Sequence, residues 1–220
     1  MFALYHPLKG RALWCALILL IHGLVTVVTI AFTFVELDLL SRIERGENVP
    51  YHELISSDDR MLVIGWVYIA SIVIAGAAFI FWMHRAYRNL EPLMGRFQEH
   101  SPWWVIFGWI IPIISLFRPY QLMKEIYRDS SPGLPYRGDT TPLLPFWWAL
   151  WLVGGWIGTF AGNLMFRGET ARDLIMADRF YVVTDALALA ALVFALVLVH
   201  RITSNQQTKY EGNIAAASSA

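Results

Sequence analysis

Long runs of hydrophobic residues with at most one charge alternate with polar stretches along this chain of 220 residues. Four runs are long enough to cross a bilayer as α-helices, because about 20 residues at a rise of 1.5 Å cover a hydrocarbon core of about 30 Å. They comprise residues 12–35, 61–83, 145–166 and 181–199. The pattern predicts an all-α integral membrane protein, a four-span helical bundle made of two hairpins.

A fifth apolar run, residues 103–117, is shorter than the others. Its 15 residues would reach only about 22 Å as a helix. Pro112 removes a backbone donor inside it, and the run is apolar on all sides. We therefore expect a half-inserted segment that neighbouring helices shield from lipid.

The next stretch, residues 118–128, has the alternation of an amphipathic helix. Leu122, Met123, Ile126 and Tyr127 fall on one helical face. This pattern is typical of a helix that lies in the membrane interface, with its apolar face toward the acyl chains.

The distribution of basic residues favours four crossings over five. With a cytoplasmic N-terminus, four crossings place eleven of the 17 lysines and arginines inside and six outside. If residues 103–117 also crossed, eight would lie inside and nine outside. Since cytoplasmic loops carry the excess of basic residues, we predict a multi-pass protein of a bacterial inner membrane with both termini cytoplasmic.

Two dipeptides repeat around the second and the last span. Asp-Arg precedes each of these spans, His-Arg-x-x-x-Asn follows each, and neither dipeptide occurs elsewhere. The copies are Asp59-Arg60 with His84-Arg85 and Asn89, and Asp178-Arg179 with His200-Arg201 and Asn205. A parallel internal duplication would produce this pattern. Chance and the shared chemistry of helix ends are the alternatives.

Composition agrees with a membrane setting and excludes several kinds of site. Hydrophobic residues make up 57% of the chain and charged residues 15%, against about 25% charged in soluble domains. The formal net charge of zero gives no basic footprint for nucleic acid. Cys15 is the only cysteine, so no internal disulfide or CxxC motif exists. Hydrolase, nucleotide and zinc-protease motifs are absent as well. We expect no catalytic residues, no cofactor and no metal.

One candidate site lies on the predicted cytoplasmic face, where imidazole, guanidinium and ammonium groups gather. It would bind an anion or a lipid headgroup, because basic residues next to a membrane attract anionic lipid. Its members are His84, Arg85, Arg88, Asn89, Arg118, Lys124, Arg128, His200 and Arg201. The alternative is that these residues only anchor helix ends at the membrane surface.

Three polar residues within the spans form a second group of candidates, because polar groups in lipid are costly and often functional. His22 lies deep in the first span, whereas Asn163 and Asp185 lie near the outer ends of theirs. We expect Asn163 and Asp185 to form a hydrogen bond with each other that joins two helices.

Several short motifs in the central part of the chain resemble one membrane protein family. They are His-Arg-Ala-Tyr-Arg-Asn-Leu (84–90), Ser-Pro-Trp-Trp (101–104), Gly-Trp-Ile-Ile-Pro (108–112), Arg-Pro-Tyr (118–120), Lys-Glu-Ile-Tyr-Arg (124–128) and Trp-Trp-Ala-Leu-Trp (147–151). The chain is similar over residues 60–205 to the bacterial family called domain of unknown function 4328. The resemblance implies a multi-span bacterial protein and no established activity.

Taken together, these features predict one membrane domain over residues 1–205, followed by a disordered tail over residues 206–220. We expect a non-enzymatic scaffold, accessory or regulatory subunit that engages anionic lipid, a membrane protein partner or a second copy of itself. A small transporter or channel is the alternative, and an enzyme acting on lipid headgroups is the third hypothesis. A water-filled cavity at His22 would favour transport, whereas a cleft joining His84 and His200 would favour chemistry.

Overall fold

The computed structural model describes residues 4–95, 97–131 and 141–219. In these ranges the chain forms α-helices, one 3₁₀ turn (Ile114–Leu116) and no strand. The helices are α1 (Lys9–Glu44), α2 (Tyr51–Arg88), α3 (Leu90–Met94), α4 (Trp104–Ile110), α5 (Arg118–Ser130), α6 (Leu143–Arg167) and α7 (Ala171–Ser218).

Four helical stretches are long and apolar enough to cross a membrane: α1, α2 with α3, α6 and α7. Each contains one of the spans predicted from the sequence, so the all-helical fold with four candidate spans is confirmed. Only 11% of the most apolar stretch of α2 is buried in the protein, against 28% in α1 and in α7. Most side chains of that stretch of α2 therefore face outward, where lipid would cover them.

The chain folds as two compact units. Unit 1 contains Met1–Leu19, Ala75–Trp148 and Val193–Ala220, and unit 2 contains Leu20–Ile74 and Ala149–Leu192. The core of unit 1 holds large, fully buried side chains, including Trp82, Met83, Tyr87, Leu122, Met123, Ile126 and Ile202. Unit 2 buries smaller groups, including Ala161 and Ala177, together with several polar side chains.

Within unit 1, α2 and α7 run in the same direction. Trp82 Nε1 donates a hydrogen bond to Thr203 Oγ1 at 3.2 Å, and further along both helices Gln206 Nε2 donates to the Ala86 carbonyl at 2.8 Å. From the first contact to the second, the residue number increases in both helices, so the two helices are parallel here. The proposed duplication requires this direction, but the superposition of the two spans stays a prediction.

Residues 103–117 do not form one continuous helix. The seven residues of α4 cover about 10 Å. Beyond them the Ile114 amide donates to the Pro112 carbonyl at 2.8 Å, and Ile113 between them has φ 68°. This is a tight γ-turn, a rare conformation for a β-branched residue. The chain thus reverses inside the segment, and its depth in the membrane stays a prediction.

The apolar face of α5 lies inside the protein. Leu122, Met123 and Ile126 are 0% exposed, whereas Tyr127 is half-buried. The expectation that this face meets acyl chains is therefore wrong for those three residues. An amphipathic pattern identifies which side of a helix is covered, but it does not tell whether other helices or lipid cover that side.

Residues beyond 205 also differ from the prediction. Instead of a disordered tail, α7 continues to Ser218. Gln206 is fully buried, and Lys209 Nζ donates to the Asp129 carbonyl at 2.8 Å. The polar composition that suggested disorder is accounted for by these hydrogen bonds to other parts of unit 1.

Within unit 2, glycines let α6 approach α7 closely. A Cβ atom on Gly154 would lie 3.5 Å from Leu187 Cβ, and one on Gly158 would lie 3.1 Å from Thr184 Cγ2. Small residues at such contacts permit dense packing between membrane helices, where no hydrophobic effect drives association.

Candidate functional site

The two His-Arg motifs occupy different surroundings in unit 1. The His84 ring lies 6.2 Å from the Trp103 ring, and Arg85 is nearly buried with one nitrogen 3.4 Å from the Leu4 carbonyl. His200 and Arg201 are exposed. Among the described residues, no hydrogen bond or ring contact joins His84 to His200. The motifs therefore do not form a single site through direct contact.

His200 instead lines a groove of about 540 Å³ between the start of α1 and α7. Lys9 and Glu211 lie at the same groove, and Leu13 and Leu196 contribute apolar walls. His84 is not among its lining residues. The cleft joining both histidines, which would have favoured an enzyme, is thus not formed by this groove.

Asn89 connects the N-terminal segment to α7. It is fully buried, its amide nitrogen donates to the His6 carbonyl at 2.8 Å and to Gln206 Oε1 at 3.1 Å, and its oxygen accepts from the His6 amide at 3.3 Å. Gln206 Nε2 also donates to Ser130 Oγ at 3.0 Å. Asn89 therefore has a structural role, and its partner on α7 is Gln206 rather than the motif residue Asn205.

A second buried polar contact joins α2 to α5. The Tyr87 hydroxyl donates to Glu125 Oε2 at 2.9 Å, and the Glu99 amide donates to Glu125 Oε1 at 3.3 Å. Burial raises the pKa of the Glu125 carboxyl above its ordinary range, although the hydrogen bond from Tyr87 opposes this effect.

The raised pKa makes the stability of the fold depend on pH. As pH rises through the ordinary carboxyl range, Glu125 ionises first in the unfolded chain, so the free energy of unfolding falls until the folded carboxyl has ionised too. Replacing Glu125 with Gln should remove this part of the pH dependence. The measurement is the unfolding midpoint in mild detergent from about pH 4 to pH 8. Glu91→Gln is the control, and equal pH profiles for Glu125→Gln and wild type would contradict the prediction.

Arg118 and Lys124, called the cationic pair below, lie on the outer side of α5. The Arg118 guanidinium stacks 5.1 Å from the Trp104 ring, and Lys124 is exposed. A Cβ atom on Gly108 would lie 2.9 Å from Arg118 Cγ, so the glycine makes room for the arginine. The packing holds Arg118 in place at the surface.

Arg128, by contrast, is engaged within the protein. Its nitrogens lie 2.7 Å from Asp129 Oδ1 and 3.0 Å from Glu99 Oε1. The hydrogen bond that Arg128 donates to the Asp129 carboxylate is the main reason why the pKa of Arg128 is raised. Two acidic partners offset its charge, so Arg128 is a weaker candidate for an external anion than the cationic pair. Arg88 is exposed on the surface of the same unit.

In unit 2, His22 is nearly buried and has a side-chain partner on α2. His22 Nδ1 lies 2.9 Å from Ser71 Oγ, and the Ser71 hydroxyl donates to the Tyr68 carbonyl at 2.8 Å. Because the serine proton is already used, Ser71 accepts from His22 Nδ1–H, and the other ring nitrogen carries the lone pair. The tautomer follows from this hydrogen-bond network.

Asp185 accepts its hydrogen bond from Tyr68, whose hydroxyl lies 3.1 Å from Asp185 Oδ1. The predicted bond between Asn163 and Asp185 is wrong. Asn163 is exposed and donates to the Thr159 carbonyl on its own helix at 2.8 Å. A short polar side chain on a helix often bonds to the preceding turn of the same helix. The similar depth of Asn163 and Asp185 in their spans therefore did not identify their hydrogen-bond partners.

Sequence reasoning missed two polar residues of unit 2, Asp178 and Tyr181. Asp178 was treated only as part of a dipeptide at a helix end, yet it is 1% exposed. The signal was available, because Asp178, Tyr181 and Asp185 are spaced by three and four residues and share one helical face. In residues 4–95, 97–131 and 141–219, no group of three or more His, Cys, Asp or Glu side chains is arranged to hold a metal ion.

Four helices of this length and hydropathy within the described residues are typical of the class of polytopic membrane proteins. A family model described as domain of unknown function (DUF4328) matches residues 45–204. The chain therefore belongs to this family, which confirms the resemblance of the central motifs. No curated protein and no solved structure matches the chain.

Proposed function

We propose that the protein is a non-enzymatic membrane scaffold or accessory subunit that engages anionic lipid at the cytoplasmic face. The observation that supports this role is the surface around α4 and α5. There the cationic pair lies next to large apolar side chains that the protein leaves uncovered. These are Trp103, Phe107, Ile110, Ile113 and Phe117, which are 49–74% exposed.

The combination fits the boundary between lipid headgroups and acyl chains. Exposed aromatic and aliphatic side chains are favoured in acyl chains, and tryptophan is enriched at the interface. Basic side chains at the same level attract anionic headgroups, each contributing about 1 kcal/mol. The buried face of α5 fixes this surface to the rest of unit 1, since Leu122, Met123 and Ile126 are fully enclosed.

Replacing both Arg118 and Lys124 with Gln should weaken the binding of anionic lipid by about 30-fold. The reason is the loss of two residues that contribute about 1 kcal/mol each. The measurement is retention of phosphatidylglycerol by the purified protein in native mass spectrometry, with phosphatidylcholine as the neutral comparison.

Arg128→Gln is the matched control on the same helix, because its charge is already offset by Glu99 and Asp129. We expect it to retain anionic lipid nearly as well as the wild type. If the double variant and the wild type retain phosphatidylglycerol equally, α5 is a structural element only and the proposed function is wrong.

A further inference from the structure

The groove between α1 and α7, which lies within unit 1, has an apolar end and a polar end. The residues that line it from inside the predicted spans 12–35 and 181–199 are all apolar, and those that line it from outside these spans are all polar. The apolar group comprises Ala12, Leu13, Ala16, Leu196 and Val199, and the polar group includes Lys9, His200, Thr203, Ser204, Gln207 and Glu211. The groove therefore crosses the expected boundary between acyl chains and headgroups, and a molecule that fills it must be amphipathic.

The polar side chains nearest this boundary lie at the depth of lipid phosphates. Lys9 precedes the first span by three residues, and His200 and Ser204 follow the last span by one and five residues, which is about 1.5–7.5 Å along a helix. The headgroup region on each side of the hydrocarbon core is about 5–7 Å thick. All three side chains are exposed, and each can donate a hydrogen bond to a phosphate oxygen.

The far polar end of the groove carries the opposite charge. Gln207 Nε2 donates to Glu211 Oε1 at 2.6 Å, so the Glu211 carboxylate is drawn back along α7 toward the membrane. Its other oxygen, Oε2, can accept a hydrogen bond from a ligand. The groove thus presents one lysine and one glutamate, whereas the cationic pair on α5 presents two positive charges. Charge complementarity favours a headgroup that has both a phosphate and an ammonium group.

We propose that this groove binds one aminophospholipid, with phosphatidylethanolamine as the probe. Lys9 and Ser204 bind the phosphate, Glu211 binds the ammonium group, and an acyl chain packs against Leu13 and Leu196. The groove volume of about 540 Å³ is within the range of about 300–1,000 Å³ that is usual for small-molecule sites. The site goes beyond the proposed function, because it selects a zwitterionic lipid and shares no residue with the cationic pair.

Two other phospholipid headgroups fit the polar end less well. Phosphatidylglycerol has the phosphate but no cation for Glu211. Phosphatidylcholine has a cation, but its nitrogen carries no hydrogen that could be donated. A charge-assisted hydrogen bond is stronger than a neutral one, and a site that makes it rejects a similar ligand that lacks the donor. We therefore expect the groove to prefer phosphatidylethanolamine to both.

The preference is tested on the full chain in mild detergent, mixed with equal amounts of phosphatidylethanolamine and phosphatidylcholine and examined by native mass spectrometry. Wild type should retain phosphatidylethanolamine at least about tenfold better, the effect of one charge-assisted hydrogen bond. Glu211→Gln removes the charge of the acceptor and should remove most of this preference. Equal retention of the two lipids by wild type would overturn the proposal, as would an undiminished preference in Glu211→Gln.

The position of the site is tested with three further variants, whose folding is checked by circular dichroism. Lys9→Gln should lower retention of phosphatidylethanolamine about fivefold. Ala16→Leu fills the apolar end without changing a charge and should lower it too. Arg201→Gln is the matched control, because Arg201 is exposed next to His200 but does not line the groove, and it should retain the lipid as wild type does. Equal losses in Lys9→Gln and Arg201→Gln would show that general surface charge holds the lipid and would overturn the proposal, as would full retention in Ala16→Leu.

Failure of this proposal is distinguishable from failure of the proposed function. Retention of phosphatidylglycerol depends on the cationic pair, which the groove variants leave intact. Conversely, the double variant of Arg118 and Lys124 leaves the groove intact and should retain phosphatidylethanolamine as wild type does.

Discussion

Replacing Gln206 with Ala is expected to destabilise the protein by about 3 kcal/mol or more. The Gln206 amide is fully buried and bonds to the Ala86 carbonyl, to Ser130 Oγ and to the Asn89 amide. Each buried group left without its partner costs about 1–3 kcal/mol. Unfolding in mixed micelles, followed by circular dichroism, measures the change.

Two further variants test whether the loss of stability comes from the hydrogen bonds of Gln206. Gln206→Leu keeps the volume of the side chain and removes only its hydrogen bonds, so it should destabilise by nearly as much as Gln206→Ala. Gln207→Ala changes the adjacent residue, whose side chain donates to Glu211 one turn away at 2.6 Å, and should cost less than about 0.5 kcal/mol. If Gln206→Ala and Gln207→Ala unfold alike, the end of α7 is not packed into unit 1 as described.

Single cysteines are expected to give an all-or-none labelling pattern that fixes the topology. In a Cys15→Ala background, Asp58→Cys and Glu169→Cys should react with a membrane-impermeant maleimide from outside the cell, and Lys124→Cys should react only after lysis. All three positions are exposed, whereas the nearby Ser57 is buried and bonded to Glu36 and would be a poor reporter. The physical basis is the excess of basic residues predicted inside.

Labelling of Lys124→Cys at the rate of Asp58→Cys in intact cells would mean that residues 103–117 cross the membrane. The control is Ser56→Cys, an exposed position on the same face of the predicted topology as Asp58. It should label from outside in either case, because it precedes the disputed segment. The comparison therefore separates four crossings from five without depending on expression level.

The four candidate spans were predictable because length and apolarity are local properties of a sequence. The end of α7 was not, because Gln206 and Lys209 look like tail residues until their partners on other helices are known. The same limit applies to α5. Its pattern showed that Leu122 and Ile126 are covered, but only the fold shows that protein covers them.

The residues of the candidate site were likewise only partly predictable from the sequence. The amphipathic pattern predicted that Arg118 and Lys124 lie on or beside the polar side of α5; Lys124 is exposed and Arg118 is half-buried against Trp104. The bond between Asp185 and Tyr68 joins residues 117 positions apart, and no local pattern indicates such a pairing. Asp178 was predictable in part, since its spacing from Tyr181 and Asp185 places them on one face, but its near-complete burial is a property of the packed structure.

Because little of the apolar stretch of α2 is buried in the protein, its lipid-facing residues should be free to change in evolution. Residues such as Val63, Trp66 and Val73 are 61–66% exposed and would touch only lipid, which distinguishes one apolar side chain from another weakly. Related sequences should therefore keep apolar character there but exchange identities freely, while a lysine or aspartate would cost about 2.5–3.5 kcal/mol on insertion. Tyr68 and Ser71 lie in the same stretch and should be exempt from this freedom, because each is hydrogen-bonded to a residue of another helix.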